Sequence, residues 1–484
     1  MPVNAFPTSA EYFRILPEII LTITGVLIVF LEAIRREDQK KAFGPLAIVG
    51  LAAALVASVS AASDPGAAFS NMLIIDGFAS FFRFLVIGVG LLAILSSTEY
   101  LSREHANGGE YYALILFSIV GQCIMVTADE LIMIFIGLEI SSIASYVLAG
   151  YLRDDPRNNE AALKYFLLGS FATAFLLYGV AWIYGLTGST NLDHIRSALM
   201  TSAPPLALAG AAAALIFVGV GFKISAAPFQ IWAPDVYQGA PAPVSGFLSV
   251  GPKAAAFAIL LRIFLTAFGP IATNWEPVIW ACALATMIVG NFAALQQSNV
   301  KRMLAYSSIA HAGYVLVAVT ANSGTGAAAA MFYLAAYAFT NLGAFAVVTY
   351  FSRKGEKYVA IEDFAGLSQR QPAMAAMLTI FLLSLIGVPL TGGFFGKFYI
   401  FKAALDAHLV WLTVLGLLNS AVAAYYYLRI LVVMYMKDPG DSVENLEPAG
   451  IGLKLAVYGS ALGTLVLGIF PDWVLDIASR AALK

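Results

Sequence analysis

The chain has 484 residues, 60% hydrophobic and 12% charged, with a mean hydropathy of +0.83, which lies outside the range of soluble globular proteins. A net charge of −2 leaves no basic excess for nucleic acid or for a polybasic membrane-surface segment. The two cysteines, Cys123 and Cys282, both lie in apolar runs, and there is no CxxC or Cys/His pattern for zinc, haem or an iron–sulfur cluster.

The first apolar run, 15–34, carries Glu18 and Glu32 and lacks a basic leader or a small-residue cleavage pattern, so it is expected to remain as a helix. Apolar runs bounded by charge or by Gly/Pro predict further helices over 43–61, 75–98, 111–128, 130–151, 160–185, 206–236, 244–267, 276–295, 300–320, 326–350, 372–405, 409–435 and 452–470. That makes an all-α membrane protein of about fourteen spans, since a bilayer core takes about 20 apolar residues per helix. Lys and Arg should then concentrate on alternate loops. One set of loops holds Arg35, Arg36, Lys40, Lys41, Arg103, Arg153, Arg157, Lys301 and Arg302, then Arg353, Lys354, Lys357, Arg370, Lys437 and Lys454; the other holds Arg14, Arg196, Arg480 and Lys484. The alternation predicts a multi-pass membrane protein with both termini facing away from the cytoplasm.

The seventh and twelfth segments are too long and too interrupted for plain spans. The seventh contains Lys223, Pro228 and Pro234; the twelfth contains Pro389, Gly392, Gly393, Gly396 and Lys397. Proline removes a backbone donor and glycine loosens the helix, so each is expected to unwind near the midplane. The breaks are five helices apart, an odd number, so a five-helix repeat would enter the membrane in the opposite sense, and paired interruptions of this kind point to a transport site. The expected division is 1–105 as an N-terminal three-helix segment, 106–270 and 271–437 as two inverted repeats, and 438–484 as a C-terminal helix.

A charge at the bilayer centre costs on the order of 3 kcal/mol, so ionisable residues inside the spans are the candidate functional groups. Glu139 lies mid-helix among Ser141, Ser142, Ser145 and Tyr146; Lys164 enters the next helix by roughly 9 Å. An ion pair between Glu139 and Lys164 would neutralise both, with snorkelling as the plainer account of Lys164. Lys223, Lys253 and Lys397 have no carboxylate near in sequence. Desolvation penalises the charged amine, so such lysines can exchange protons. His311, in YSSIAHAGY, can both donate and accept, although a lone histidine is equally a packing residue. Arg262, Lys402 and Arg429 stand near helix ends, where snorkelling is expected; Arg83 has no assigned role. Gly88-x-Gly90-x-x-Ala93 matches a dinucleotide fingerprint but has no strand before it, and Gly392 to Lys397 has the wrong spacing for a P-loop, with Phe398 where a Ser or Thr must stand. Energy must therefore come from an ion gradient or a partner.

Four stretches carry a family resemblance: ISSIASYVLAGY after Glu139, AALKYFLLGS around Lys164, GFKISAAPFQIWAPDVYQGAPAPVS from Lys223, and VKRMLAYSSIAHAGY up to His311. They resemble the antiporter-like membrane subunits of respiratory complex I, the bacterial NADH:quinone oxidoreductase, over nearly the whole chain. The resemblance is closest to the subunit N branch, related to mitochondrial NADH dehydrogenase subunit 2. The long lateral helix of subunit L is not expected after Lys484, and the glutamate usual in broken helix 12 of subunit M is replaced by Lys397. The resemblance implies a proton-translocating subunit of a translocase in which Glu139 and Lys164 modulate Lys223, and Lys253 with His311 leads on to Lys397. It also implies no redox centre or metal in this chain, with FMN, iron–sulfur clusters, NADH and quinone in partner subunits. Expected neighbours are another antiporter-like subunit, small membrane subunits and lipids. Gln230 stands where many relatives have histidine. A free-standing cation/proton antiporter and a purely structural arm subunit remain as alternatives.

Overall fold

The computed structural model describes residues 7–34, 42–106, 108–201, 205–444 and 446–483; Arg35, Arg36, Lys40, Lys41 and Lys484 lie outside them. The fold is nearly all helical. A short amphipathic helix α1 (Ser9–Arg14) precedes α2 (Leu16–Ile34) and α3 (Phe43–Ala62). A small antiparallel hairpin, β1 (Gly66–Ala68) and β2 (Leu73–Ile75), pairs Gly66 with Ile75 and Ala68 with Leu73 before α4 (Gly77–Arg103). The chain continues through α5 (Gly109–Thr127), α6 (Leu131–Ala149), α7 (Pro156–Thr187) and the short α8 (Leu192–Thr201). The seventh crossing is split into α9 (Leu206–Ile224) and α10 (Ala233–Gly239), and α11 (Ala242–Arg262), α12 (Ala272–Leu295), α13 (Val300–Thr320) and α14 (Gly324–Phe351) follow. After α15 (Leu367–Arg370), the twelfth segment is split into α16 (Pro372–Ile386) and α17 (Gly392–Asp406). Then come α18 (Val410–Met436), α19 (Ile451–Ile469) and the amphipathic α20 (Pro471–Ala481).

Among the described residues, thirteen segments are long and apolar enough to cross a membrane, with α9 to α10 taken as one. The remaining expected crossing, 372–405, consists of two helices of 15 residues each, individually shorter than a bilayer core requires. Both interruptions fall where the proline and glycine pattern placed them, and side chains satisfy the freed backbone. Helix α9 ends at Ser225 in a left-handed conformation (φ 61°). The Trp232 indole then donates to the Phe222 carbonyl at 2.9 Å, and Thr286 accepts from the Ala227 N–H at 2.8 Å. Helix α16 ends at Gly387 (φ 95°). The chain returns so tightly that a Cβ at Gly393 would sit 1.9 Å from the Ser384 carbonyl oxygen, which requires glycine.

Helices α13 and α14 are central, with 94% of their most apolar stretch buried, and α11 reaches 89%, against 33% for α2 and 39% for α7. Lys253 and His311 therefore ride on helices enclosed by protein, where a charge has no route to snorkel.

The loops sort onto two ends as the charge alternation requires. At the cation-rich end Arg103 donates to the Thr349 and Tyr350 carbonyls, Arg157 to Gly355, and Glu104 accepts from the Gly355 N–H. At the opposite end Arg14 pairs with Asp64, and Asn191 donates to Asp129. Arg262 belongs to this second end and is no snorkeller. It is buried, forms a bidentate pair with Asp76 (3.0 and 3.0 Å), and lies over the Phe78 ring. Asp76 also caps α4 by accepting from Ala79 N–H at 2.7 Å. Lys402 stays exposed beside Asp406, and Arg429 reaches the Gln297 carbonyl.

Arg83 acquires a partner. Its guanidinium meets Glu18 at 2.8 Å, the side chains 1% and 8% exposed, joining α4 to α2. Removing one member of a buried pair strands the other charge, at a cost of about 3–5 kcal/mol. Arg83→Ala is therefore expected to lower the thermal unfolding midpoint in detergent, with Glu18→Gln in the same chain recovering part of the loss; an unchanged midpoint in Arg83→Ala would show the pair to be neutral.

Candidate functional site

Lys223, the penultimate residue of α9, is carried to the break with no carboxylate beside it. Its ammonium donates to the Tyr146 hydroxyl at 3.0 Å and faces the rings of Tyr146, Tyr165 and Phe222 at 5.0, 5.5 and 5.5 Å. Tyr165 is in turn stacked on Trp232, 4.4 Å between centroids. Aromatic faces stabilise a cation without fixing its proton, unlike a salt bridge. A cavity of about 10 Å³, room for about one water, separates the amine from Ser141, Ser142, Ser145 and Pro252. Ser118 lies within 3.1 Å of Ser141 and 3.3 Å of Ser145, and Gln122 donates to Ser118, giving α5 and α6 a continuous run of hydroxyls.

Pro252, inside α11, leaves the Leu248 carbonyl without its helical donor, and the Tyr237 hydroxyl donates to that oxygen at 3.3 Å. The next residue, Lys253, is 2% exposed and donates to the hydroxyl and carbonyl oxygens of Ser308 at 2.5 and 3.0 Å. On α13, Ser308, His311 and Tyr314 recur every three residues and so share one face, spanning about 9 Å. His311 Nδ1 is 2.6 Å from the Tyr333 hydroxyl and Nε2 is 3.2 Å from that of Tyr427, which also bonds Ser307. The Tyr314 ring lies 4.9 Å from the ammonium of Lys397. Lys397 donates to the carbonyls of Leu385 (2.9 Å) and Ile386 (2.7 Å) and to Ser420 (2.8 Å). It thereby caps the end of α16, where a cation is favoured. Lys253 at Ser308 and Lys397 at Tyr314 thus flank His311 along one face of α13. Lys223 precedes its break and Lys397 follows its own, so the two lysines occupy different halves of their interrupted segments.

The expected ion pair of Glu139 with Lys164 is absent. Lys164 binds Glu160 at 2.6 Å and Asp235 at 2.7 Å, with its side chain 40% exposed. Glu139, half-buried, accepts from Thr173 at 3.0 Å. Thr173 and Lys164 are nine residues apart on α7, roughly 13 Å along the axis, so Lys164 points to the cation-rich end, away from Glu139. Asp235 is the group the motifs did not single out: from α10 it also holds Arg302 at 2.6 Å, bridging α7 and α13 beside the first break. Gln230, in the irregular turn between α9 and α10, has its side-chain oxygen buried without a hydrogen-bond partner. Among the described residues no group of three or more His, Cys, Asp or Glu side chains is placed to hold a metal ion.

A many-span helical bundle with two interrupted crossings and lysines buried without carboxylates defines an antiporter-like membrane protein. The comparisons then give the family. Residues 128–423 match the family model for the transmembrane region of NADH:quinone oxidoreductase and Mrp antiporter proteins. NADH-quinone oxidoreductase subunit N 1 of Solibacter usitatus is 63% identical, covering 100% of this chain and 99% of the relative. Subunit N of Trichlorobacter lovleyi is 44% identical over 96% of each. Among solved structures, a chain of respiratory complex I from Thermus thermophilus is 34% identical with a TM-score of 0.82, covering 96% of this chain and 100% of that one. A chain of the Mrp complex from Dietzia, at 20% identity and a TM-score of 0.85 over 98% and 97%, shares the fold. The chain belongs to the subunit N family of NADH-quinone oxidoreductase.

Proposed function

We propose that the chain moves protons across the membrane arm of NADH-quinone oxidoreductase through Lys223, Lys253, His311 and Lys397, with Glu139 and Lys164 modulating Lys223. The carrying observation is the face of α13, on which Ser308 holds Lys253, His311 contacts two tyrosine hydroxyls and the Tyr314 ring faces Lys397. Electron transfer at the flavin and iron–sulfur clusters of partner subunits supplies the energy. It acts here by changing the charge balance around Asp235, which holds Lys164 and Arg302 at once. Regions 106–270 and 271–437 serve as two inverted repeats, each with one interrupted segment.

The partners are the neighbouring membrane-arm subunits. Glu139 is only half-buried on a face of α6 that also exposes Ile136 and Ile143, and a carboxylate at hydrocarbon depth needs cover; an adjoining antiporter-like or small membrane subunit supplies it. The cation-rich end faces the cytoplasm, following the positive-inside rule, so the chain lies in the bacterial inner membrane with its termini on the periplasmic side.

Lys397→Ala tests the row at its far end. Uncapping α16 leaves the Leu385 and Ile386 carbonyls short of a donor and removes the last exchangeable amine. In sealed vesicles carrying the assembled complex, protons moved per NADH oxidised should fall measurably. A stoichiometry equal to that of the unaltered complex would overturn the proposed row.

A further inference from the structure

At the cation-rich end lies a cavity of about 880 Å³, walled by Tyr100, Glu104, Glu110, Arg153, Asp155 and Glu356 among others. Glu356 in its wall belongs to a buried ion pair outside the lysine row. Lys301, fully buried on the first turn of α13, meets Glu356 at 2.5 Å, the two side chains 1% and 10% exposed. The same carboxylate accepts from the Tyr100 hydroxyl at 2.9 Å and from the Ala242 N–H at 2.6 Å, while Lys301 also donates to the Ala240 carbonyl at 2.5 Å. Ala240 and Ala242 form the turn joining α10, the second half of the seventh crossing, to α11, which carries Lys253. One carboxylate thus faces aqueous space on one side and the start of the lysine-bearing helix on the other. Lys301 belongs by its position to the loop cations, yet the fold takes it out of the loop and buries it whole.

We propose that Glu356 and Lys301 form the gate by which protons enter the chain from the cation-rich face; this rests on the proton-moving reading of Lys253. Hydronium in the cavity gives its proton to the Glu356 carboxylate, leaving water and a neutral acid. Lys301, relieved of its counter-ion, passes one of its own protons inward to the Ser308 hydroxyl as that hydroxyl gives its hydrogen to Lys253 in its neutral amine form, which becomes ammonium. The neutral Lys301 amine then takes the proton from Glu356, and the ion pair is restored. The balance is one proton removed from the cavity and one delivered to Lys253. Lys301 and Ser308 lie seven residues apart on α13, about 10 Å. The Tyr237 hydroxyl faces Ser308 from α10, and Lys301 holds the Ala240 carbonyl three residues beyond Tyr237, so the proposed transfer requires water to enter between them. The charged groups around the pair are Arg157 and Asp155, whose fields reach Lys301, and Glu104, which with Glu356 acts on the Tyr100 hydroxyl.

The test uses the assembled complex with the double substitution Lys301→Met, Glu356→Gln, which removes both charges together and so avoids stranding one of them. A mere structural clamp would tolerate it. The expected result is normal incorporation with proton uptake reduced at least tenfold. Full proton uptake, with Lys223→Ala inactive in parallel, overturns the gate alone; full uptake in both overturns the proton-moving reading as well. Independently of assembly yield, Glu356→Cys and Glu104→Cys are made with Cys123 and Cys282 replaced by alanine, and treated in sealed vesicles with a membrane-impermeant maleimide. Labelling of both from the cation-rich side only is expected. Labelling of the position 104 variant without the position 356 variant overturns the gate.

Discussion

Lys223→Ala is expected to reduce proton movement by the assembled complex at least tenfold, the largest effect of any single substitution within residues 106–270. Around the ammonium stand Tyr146, Tyr165, Phe222 and the indole of Trp232 behind them, and none of these holds a positive charge. The serines across the small cavity can pass a proton along but cannot store one. Alanine therefore removes the amine enclosed by these rings and leaves the Tyr146 hydroxyl without its donor. Lys223→Arg sharpens the test, because guanidinium keeps the charge but does not release its proton. Proton exchange predicts that arginine is also inactive, whereas a fixed positive charge would let it recover. The measurement is NADH-driven acidification of sealed vesicles, normalised to the amount of this chain in the complex. Full pumping by Lys223→Ala would remove Lys223 from the path.

The spans were readable because hydropathy and loop charge are local properties. Pro228, Gly392 and Gly393 announce the two interruptions through backbone chemistry, which does not depend on neighbours. The lysines were visible for a similar reason, since an amine inside an apolar run is anomalous wherever it packs. Partners were another matter. Lys164 could be paired with Glu139 from adjacency of their helices, but whether two side chains meet depends on depth and rotation, and Asp235 lies 71 residues away at the matching depth. Arg262 shows the same limit. Its place near a helix end suggested snorkelling, but Asp76, 186 residues earlier in the chain, closes on it. Glu356 and Tyr427 carry no local pattern that marks them, whereas Ser308, His311 and Tyr314 do: a three-residue spacing of polar side chains within an apolar helix signals a polar face turned inward.

That face makes His311 the second position of large effect. Its two ring nitrogens touch different hydroxyls, Tyr333 at 2.6 Å and Tyr427 at 3.2 Å, so imidazole can take a proton at one nitrogen and release one from the other. His311→Leu removes the proposed link between Lys253 and Lys397 and leaves the buried Tyr333 hydroxyl without its partner, at about 1–3 kcal/mol, while Tyr427 keeps Ser307. Proton movement is expected to fall at least tenfold, accompanied by a lower unfolding midpoint. His311→Gln separates the two effects. The amide can bond both tyrosines but cannot become charged, so it should recover the midpoint while leaving proton movement low. Recovery of both would make the imidazole a packing and hydrogen-bonding element, with protons crossing from Lys253 to Lys397 through Ser307 and the Tyr427 hydroxyl. Recovery of the midpoint alone assigns the proton to the ring, and vesicle acidification measured beside thermal unfolding on the same preparations decides between them.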